Sequence, residues 1–212
     1  MLTGGAGFIG STLVSKLYKD NEILVYDNFS RDSLTYKNLK SKNITIVKGD
    51  VLDLNHLTKT VEDFRPQMAV HLASIAGVDT VMRNPVKTLE VILIGTFNFL
   101  NSLKKYSGDL ERVMDFSTSE VLGSYAYKST ELSNTNFAPV GEARWTYSIG
   151  KVAGEHLMHA FSKEHNYPSV TIRPFNIYGV GQVGEGAIHV FIKNAVKNKT
   201  IETHGDGDQI RS

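Results

Sequence analysis

The stretch Met1–Gly10, MLTGGAGFIG, decides how the rest of the chain is read. Gly4, Gly7 and Gly10 recur at the spacing of a turn that joins the end of a β-strand to the start of a helix and wraps a phosphate. In such a turn Gly4 and Gly7 let the backbone bend tightly and approach a pyrophosphate. Gly10 lets the helix pack closely, and the helix N-terminus stabilises the anion. Phe8, Ile9, Leu13, Val14 and Leu17 then continue at helical spacing as far as Asp20. The next apolar run, Glu22–Asp27, ends in an acid seventeen residues beyond Gly10. An acid at that place accepts hydrogen bonds from a ribose and repels a 2′-phosphate, which favours NAD over NADP. Arg31 lies nearby, either blurring that preference or simply solvated on the surface.

Working outward, Ile44–Asp50, Met68–Ser74, Arg112–Glu120 and Ser169–Asn176 repeat the form of a short apolar run. Helical patterns lie between them, at about Leu54–Phe64, Val86–Lys105 and Thr146–His165. Strands alternating with helices of this length predict a doubly wound α/β fold, a Rossmann-like parallel sheet covered on both faces. Ligands of such sheets sit outside the carboxyl ends of the strands, so the residues just after each run carry the chemistry. Asp50 closes the third run, where an aspartate either reaches an adenine amino group or forms a turn. The stretch Gly123–Arg144 has no clear period and reads as a long loop beside the site.

Two further motifs fall at that same edge. TYSIGK places Tyr147 and Lys151 four apart, on one face of a helix. A nearby ammonium would lower the tyrosine pKa and prepare it as a general base. STSE, Ser117–Glu120, follows the fifth run. Thr118 can bond a substrate hydroxyl and share its proton with Tyr147, and Glu120 can act as an acid or base. Capping of a turn is the other reading of Ser117, Thr118 and Ser119.

Composition narrows the classes. The chain has 212 residues, 41% hydrophobic and 21% charged, with a formal net charge of +1 and no cysteine. Neutrality gives no general pull toward nucleic acid or an anionic membrane. The lack of cysteine excludes disulfides and thiolate chemistry. No apolar run reaches the length of a membrane span, which leaves a cytoplasmic enzyme or binding protein as the expectation. The seven histidines lack ligand spacing, so no metal site is expected. His71 reads as a packed strand residue; His189 and His204 lie either on the substrate side or on the surface.

Taken together, TGGAGFIG, Asp27, GDV (Gly49–Val51), HLAS (His71–Ser74), STSEVLG, YSIGK and RPFNIYG resemble the NAD-dependent epimerase/dehydratase family, the extended short-chain dehydrogenases/reductases. Relatives act on nucleotide-diphosphate sugars. The resemblance implies that Tyr147 takes the proton of a sugar hydroxyl while C4 gives a hydride to NAD, opening the way to epimerisation, dehydration or decarboxylation. It implies that Gly4, Gly7, Phe8, Ile9 and Gly10 cradle the pyrophosphate and that Asp27 and Asn28 hold the adenosine ribose. Asp50 and Val51 would take the adenine, and Leu72, Ala73 and Ser74 the middle of the dinucleotide. Ser117, Lys151, Pro174 and Phe175 would lie on the cofactor side near the nicotinamide. Ser119, Asn176 and Arg211 would face the sugar nucleotide, with Arg211 on its diphosphate.

Three departures from the family pattern stand out. Ile92 sits where relatives often carry asparagine, Leu122 where a tyrosine is common, and Ser119 where one dehydratase group has an acid. Serine there, with Glu120 beside it, resembles other dehydratases and the UDP-glucuronate decarboxylases. Beyond these, GEARWTY, Gly141–Tyr147, differs from the usual proline-containing approach to the tyrosine; Arg144 and Trp145 there either shape substrate choice or, for Trp145, only pack against the helix. Family members often dimerise through two helices, here Val86–Lys105 and Thr146–His165, so a homodimer is expected. A non-catalytic dinucleotide-binding regulator is the rival reading, although it has no need to keep Thr118, Tyr147 and Lys151 together.

The resemblance divides the chain into a dinucleotide-binding domain at 1–175 and part of a substrate-binding region at 176–212. Only Met1 and Leu2 precede Thr3 where a full central strand is expected, and GDGDQIRS stops just after Arg211. A fragment trimmed at both ends, or a start site assigned too late, is therefore expected.

Overall fold

The computed structural model describes residues 1–124, 127–184 and 186–202, with the Arg144 side chain left aside. Six strands alternate with helices: β1 Leu2–Thr3, α1 Phe8–Leu17, β2 Ile23–Asp27, α2 Leu34–Lys37, β3 Ile44–Lys48, α3 Leu54–Phe64 and β4 Met68–His71. Then come α4 Val78–Arg83, α5 Pro85–Leu89, a π-helical turn Glu90–Ile94, α6 Gly95–Leu103, β5 Arg112–Phe116, α7 Thr146–His165, β6 Ser169–Ile172 and α8 Ala187–Val196. Every strand pairing is parallel, in the order β3-β2-β1-β4-β5-β6. This is the doubly wound, Rossmann-like sheet expected from the alternation.

β2 shows how the sequence builds the layers. All five of its residues are buried, because alternate side chains of a central strand enter opposite faces. Ile23 and Val25 join Leu2, Ala6, Val14 and Leu34 on one face. Leu24 and Tyr26 join Leu57, Phe99, Leu103 and Met158 on the other. Each fully buried side chain of this kind contributes about 1.5–3 kcal/mol before ordering costs. β1 is short but central: Leu2 pairs with Val25 and Val70, and Thr3 with Tyr26 and His71.

The long helical pattern over 86–105 is broken into α5, the π turn and α6. Ile92, in the π turn, is 1% exposed and packs its methyl groups on Gly150 of α7. A π turn of this kind accommodates one extra residue to suit such a contact. The described residues of the 123–144 stretch are largely irregular, as expected. They are tied down by a bridge between Gly123 and Asn136 and by a 3-10 turn at Ala143–Trp145. Among the described residues no helix is long and apolar enough to cross a membrane.

Candidate active site

The glycine turn is built by contact as much as by conformation. Gly4 has φ +69°, and a Cβ on it would lie 2.5 Å from the Ala73 nitrogen. A Cβ on Gly10 would lie 2.6 Å from the Gly4 carbonyl oxygen. The turn, the start of α1 and the strand end at Ala73 are thus pressed together, leaving a groove that only glycine permits. Asp27 holds this turn in place. Its Oδ2 accepts from Ala6 N at 2.9 Å and its Oδ1 from Phe29 N at 2.8 Å. Burial raises its pKa, against these backbone donors. Sequence reasoning gave Asp27 a ribose and missed this second task.

Asp50 lines the same cleft, beside the end of β2. It accepts from Asn28 Nδ2 at 3.3 Å and from Leu52 N at 3.0 Å, so it is at once a turn former and part of the wall. Asn98 of α6 pins the same turn by donating to the Val51 and Leu52 carbonyls at 2.9 and 3.2 Å. Arg31 reaches across to Thr80 Oγ1 of α4, at 3.3 Å.

At the other end lie the STSE and TYSIGK residues. Ser117 N and Ser119 N donate to the Ile172 and Pro174 carbonyls at 2.8 and 2.9 Å, which carries the β5–β6 pairing past the strand ends. Thr118 Oγ1 accepts from Glu120 N at 3.2 Å and caps the turn Ser119–Leu122, while its hydroxyl also faces the Tyr147 phenol. Thr118 thus caps the turn and at the same time stands beside the tyrosine. Glu120 is anchored by Ser148 Oγ at 2.8 Å.

Tyr147 and Lys151 project from successive turns of α7 into the same cleft. The Lys151 ammonium is buried and donates to the Phe116 carbonyl at 2.6 Å. Burial lowers its pKa, opposed by the negative charges of Asp115 and Glu155. The Tyr147 phenol is pushed up, first by burial and then by Glu120 and Asp115, against the hydroxyls of Thr118 and Ser74. This corrects the depression expected from the Tyr-x-x-x-Lys spacing. The spacing puts the two side chains in one cleft, but the lysine charge is engaged by Phe116, Asp115 and Glu155. Ser74 Oγ and Ser117 Oγ are buried and near Tyr147 and Glu155, yet neither is aligned in a full hydrogen bond among the described residues.

The cleft between these two ends has a volume of about 1120 Å³. Its wall includes the predicted residues Gly4, Gly7, Phe8, Ile9 and Gly10, then Asp27, Asn28, Asp50 and Val51. Leu72, Ala73, Ser74, Ser117, Thr118, Pro174, Phe175 and Asn176 complete the predicted part of the wall. Ser119 and Glu120 are not on the wall, although the Glu120 charge bears on Tyr147. Arg211 and His204 lie outside the described residues. His71 is fully buried between Thr3 Oγ1 at 2.7 Å and Thr96 Oγ1 at 3.3 Å, a packed strand residue as expected.

An ion pair that sequence reasoning missed backs the cluster. Arg173 grips Glu155 through Nε at 3.0 Å and Nη2 at 2.7 Å, and its Nη1 donates to the Glu131 carbonyl at 3.1 Å. The available signal was Glu155 itself, four residues past Lys151 on the same helix face. Burial disfavours the Glu155 charge, but the hydrogen bonds and charge of Arg173, with the nearby Ser117 hydroxyl, outweigh it and leave the pKa lowered. The stability it contributes is therefore full above the ordinary carboxylate range and fades as pH falls through the depressed folded value. Arg173→Ala strands the largely buried carboxylate and is expected to cost about 3 kcal/mol near neutrality. Denaturant melts of the parent and the variant at neutral and acid pH should show that gap close on acidification.

Comparison with known proteins matches this architecture. The profile of the family described as "NAD dependent epimerase/dehydratase family" matches residues 1–212. The dTDP-D-glucose 4,6-dehydratase of Dictyostelium discoideum is 32% identical, over 100% of this chain and 51% of its own length. The UDP-N-acetyl-alpha-D-glucosaminuronate decarboxylase of Bacillus cytotoxicus is 32% identical, over 100% of this chain and 65% of its own. The crystal structure of UDP-glucuronic acid 4-epimerase from Bacillus cereus, in complex with UDP-glucuronic acid and NAD, superposes with a TM-score of 0.84. It is 28% identical and covers 99% of this chain and 67% of its own. The chain thus spans about half to two thirds of the length of these relatives. With the glycine turn, the acid pair and the Tyr147–Lys151 helix at one sheet edge, and a family profile matching throughout, this chain belongs to the NAD dependent epimerase/dehydratase family.

Proposed function

We propose that the protein is an NAD-dependent nucleotide-sugar epimerase or dehydratase that works through transient oxidation at sugar C4. The observation that carries this reading is one continuous cleft with a glycine cradle at one end and Thr118, Tyr147 and Lys151 at the other. The residues present fit a dinucleotide. The groove over Gly4 and Gly10 is one that a Cβ would fill, and Asp27 and Asp50 line the same cleft, where their carboxylates would meet an adenosine. Gly7, Phe8 and Ile9 would donate to the pyrophosphate from the start of α1. Asp27 and Asn28 would hold the ribose, Asp50 and Val51 the adenine, and Leu72 to Ser74 the middle of the molecule. Ser117, Pro174 and Phe175 would flank the nicotinamide. NAD, when bound, would supply the acceptor for a hydride and a positively charged ring.

The chain's own groups do the proton work. Tyr147 removes the proton of the sugar hydroxyl, and the Thr118 hydroxyl beside it holds the sugar oxygen and shares that proton. Lys151 contributes its positive charge and holds the nicotinamide ribose. Glu120 serves as auxiliary acid or base, with Ser119, Asn176 and Arg211 toward the sugar nucleotide. Residues 1–175 would form the dinucleotide-binding domain and 176–212 the start of the substrate-binding region. A cytoplasmic location belongs to the same proposal.

A second reading, a decarboxylase of UDP-glucuronate type, is favoured by Ser119 in STSE and by the likeness to the Bacillus cytotoxicus decarboxylase. Full-length protein incubated with UDP- and dTDP-linked hexoses and hexuronates separates the outcomes by product mass. An unchanged mass with an altered sugar marks epimerisation, loss of water dehydration, and loss of carbon dioxide decarboxylation. If no sugar nucleotide is turned over while NAD still binds, the enzyme reading fails and the regulator is favoured.

We also propose a homodimer through α5, α6 and α7. Val86, Phe97 and Ile149 on these helices, and Ile94 in the π turn between α5 and α6, are each at least 41% exposed, apolar side chains of the kind that isologous dimers cover. Light scattering at micromolar concentration is expected to give twice the protomer mass, and Phe97→Glu is expected to return it to one. A parent that scatters as a monomer would sink this assignment.

A further inference from the structure

Beneath the Tyr147–Lys151 pair runs a polar row that the proposed chemistry does not use. Thr3, His71, Asp115 and Thr171 are in register across β1, β4, β5 and β6. Residues in register on parallel strands share a face of the sheet, and Tyr26, in register with Thr3, marks it as the face that α6 and α7 cover. Thr3 and Thr96 hold His71 between them. Asp115 has no such partner. It is 1% exposed, and its Oδ1 is buried without a hydrogen bond among the described residues. A buried carboxylate in that state needs a compensating charge.

The charged groups around it leave one candidate. Lys151 comes down from α7, 3% exposed, and its ammonium holds the carbonyl of Phe116, the next residue after Asp115. Glu155, one turn further along α7, already has a bidentate partner in Arg173, beyond β6. His71 on β4 is neutral, because burial and then the Lys151 charge push its pKa down to about 3. Tyr147 is neutral near pH 7, and Glu120, on the turn after β5, bonds Ser148.

We infer that the Asp115 carboxylate is the counter-charge that keeps Lys151 an ammonium, making Asp115 a positioning residue for the acid–base pair. The inference rests on the reading of Tyr147 and Lys151 as that pair. Burial raises the Asp115 pKa and lowers that of Lys151, and against it each group supports the charge of the other: Lys151 pulls the Asp115 value down, and Asp115, with Glu155, pulls the Lys151 value up. Asp115 carries a cost as well, since its charge also raises the Tyr147 pKa. Losing one negative charge makes deprotonation easier at each neighbour, so Lys151 and Tyr147 both move down together.

The test is a titration that needs no turnover. Lysine labelled with carbon-13 at its ε-carbon is followed by NMR in the full-length protein, with the Lys151 signal identified by its loss in Lys151→Arg. In the parent, Lys151 is expected to stay an ammonium through neutral pH. In Asp115→Asn its midpoint is expected to fall by about one pH unit or more. Should asparagine prevent folding, Asp115→Ser removes the charge with a smaller side chain and is read in the same way. A Lys151 that is already neutral at pH 7 in the parent overturns the inference without any charge-removing variant. So does a midpoint that stays put or rises, which would mean that Asp115 is itself protonated. Because the readout is a titration, a protein that turns over no sugar nucleotide still answers this question. A protein that turns one over with an unmoved Lys151 loses only the role of Asp115.

Discussion

Tyr147→Phe is expected to lower turnover of the sugar nucleotide by roughly 10²–10⁴-fold, the usual contribution of a positioned general base. The change removes one oxygen and leaves the ring that fills the wall of the cleft. Binding of NAD should therefore persist, with a Kd within a few-fold of the parent. That split matters, because a misfolded variant would lose both. The raised pKa of the phenol adds a second signature. Burial and the charges of Glu120 and Asp115 hold Tyr147 above its ordinary value, so the parent should gain activity as pH rises through neutrality. Glu120→Gln removes one of those charges from beside the phenol, and its acid limb is expected to move to lower pH. A rate that is flat with pH, or a phenylalanine variant as active as the parent, would remove Tyr147 from the chemistry.

Gly4→Ala is expected to be strongly damaging to both stability and dinucleotide binding. The new Cβ would meet the Ala73 nitrogen at 2.5 Å and the Leu72 carbonyl carbon at 2.6 Å, all backbone atoms, with φ at +69°. A flexible side chain can move aside, but here a strand end and a turn would have to separate. Overpacking of this kind costs about 1–3 kcal/mol or more, and the left-handed conformation adds about 1 kcal/mol for alanine. The shift also fills the groove proposed for the pyrophosphate. Dinucleotide binding measured by calorimetry is expected to fall at least a hundredfold, together with a lower melting temperature. Ala6→Gly, two residues away with its side chain in the core cluster that includes Val14 of α1, should lower stability while leaving binding measurable.

The fold was legible because its signals are local. β2, α3 and α7 carry unbroken periodicity between clear stops, and α3 and α7 begin and end where the pattern does. The helix over 86–105 was legible as a helix but not as three pieces. Its π turn answers a contact between Ile92 and Gly150, which lie far apart in the chain. α8 went unread although Ile188, Phe191, Ile192 and Val196 recur at helical spacing, an apolar stripe that remains exposed.

The site divides along the same line. Gly4, Asp27, Thr118, Tyr147 and Lys151 stand in motifs; the first three lie at or just past strand ends of one parallel sheet, and α7 brings Tyr147 and Lys151 to the same cleft. Asp115 could not be found that way. Within the run RVMDF it is one acid among apolar residues, and only the register of β5 with β4 and the descent of Lys151 give it a partner. The direction of the Tyr147 shift was misjudged for a related reason. Spacing tells which residues share a helix face, whereas the sign of a pKa shift depends on every charge that the fold brings near.

Rapid mixing of the NAD-loaded full-length protein with a sugar nucleotide that it turns over, followed by the absorbance of reduced nicotinamide, tests the central claim most directly. Transient oxidation at C4 predicts that the signal appears before product, is slowed by deuterium at C4, and is absent from Tyr147→Phe. Product that forms from such a sugar with no reduced nicotinamide at any time, and at the same rate with hydrogen or deuterium at C4, would contradict it.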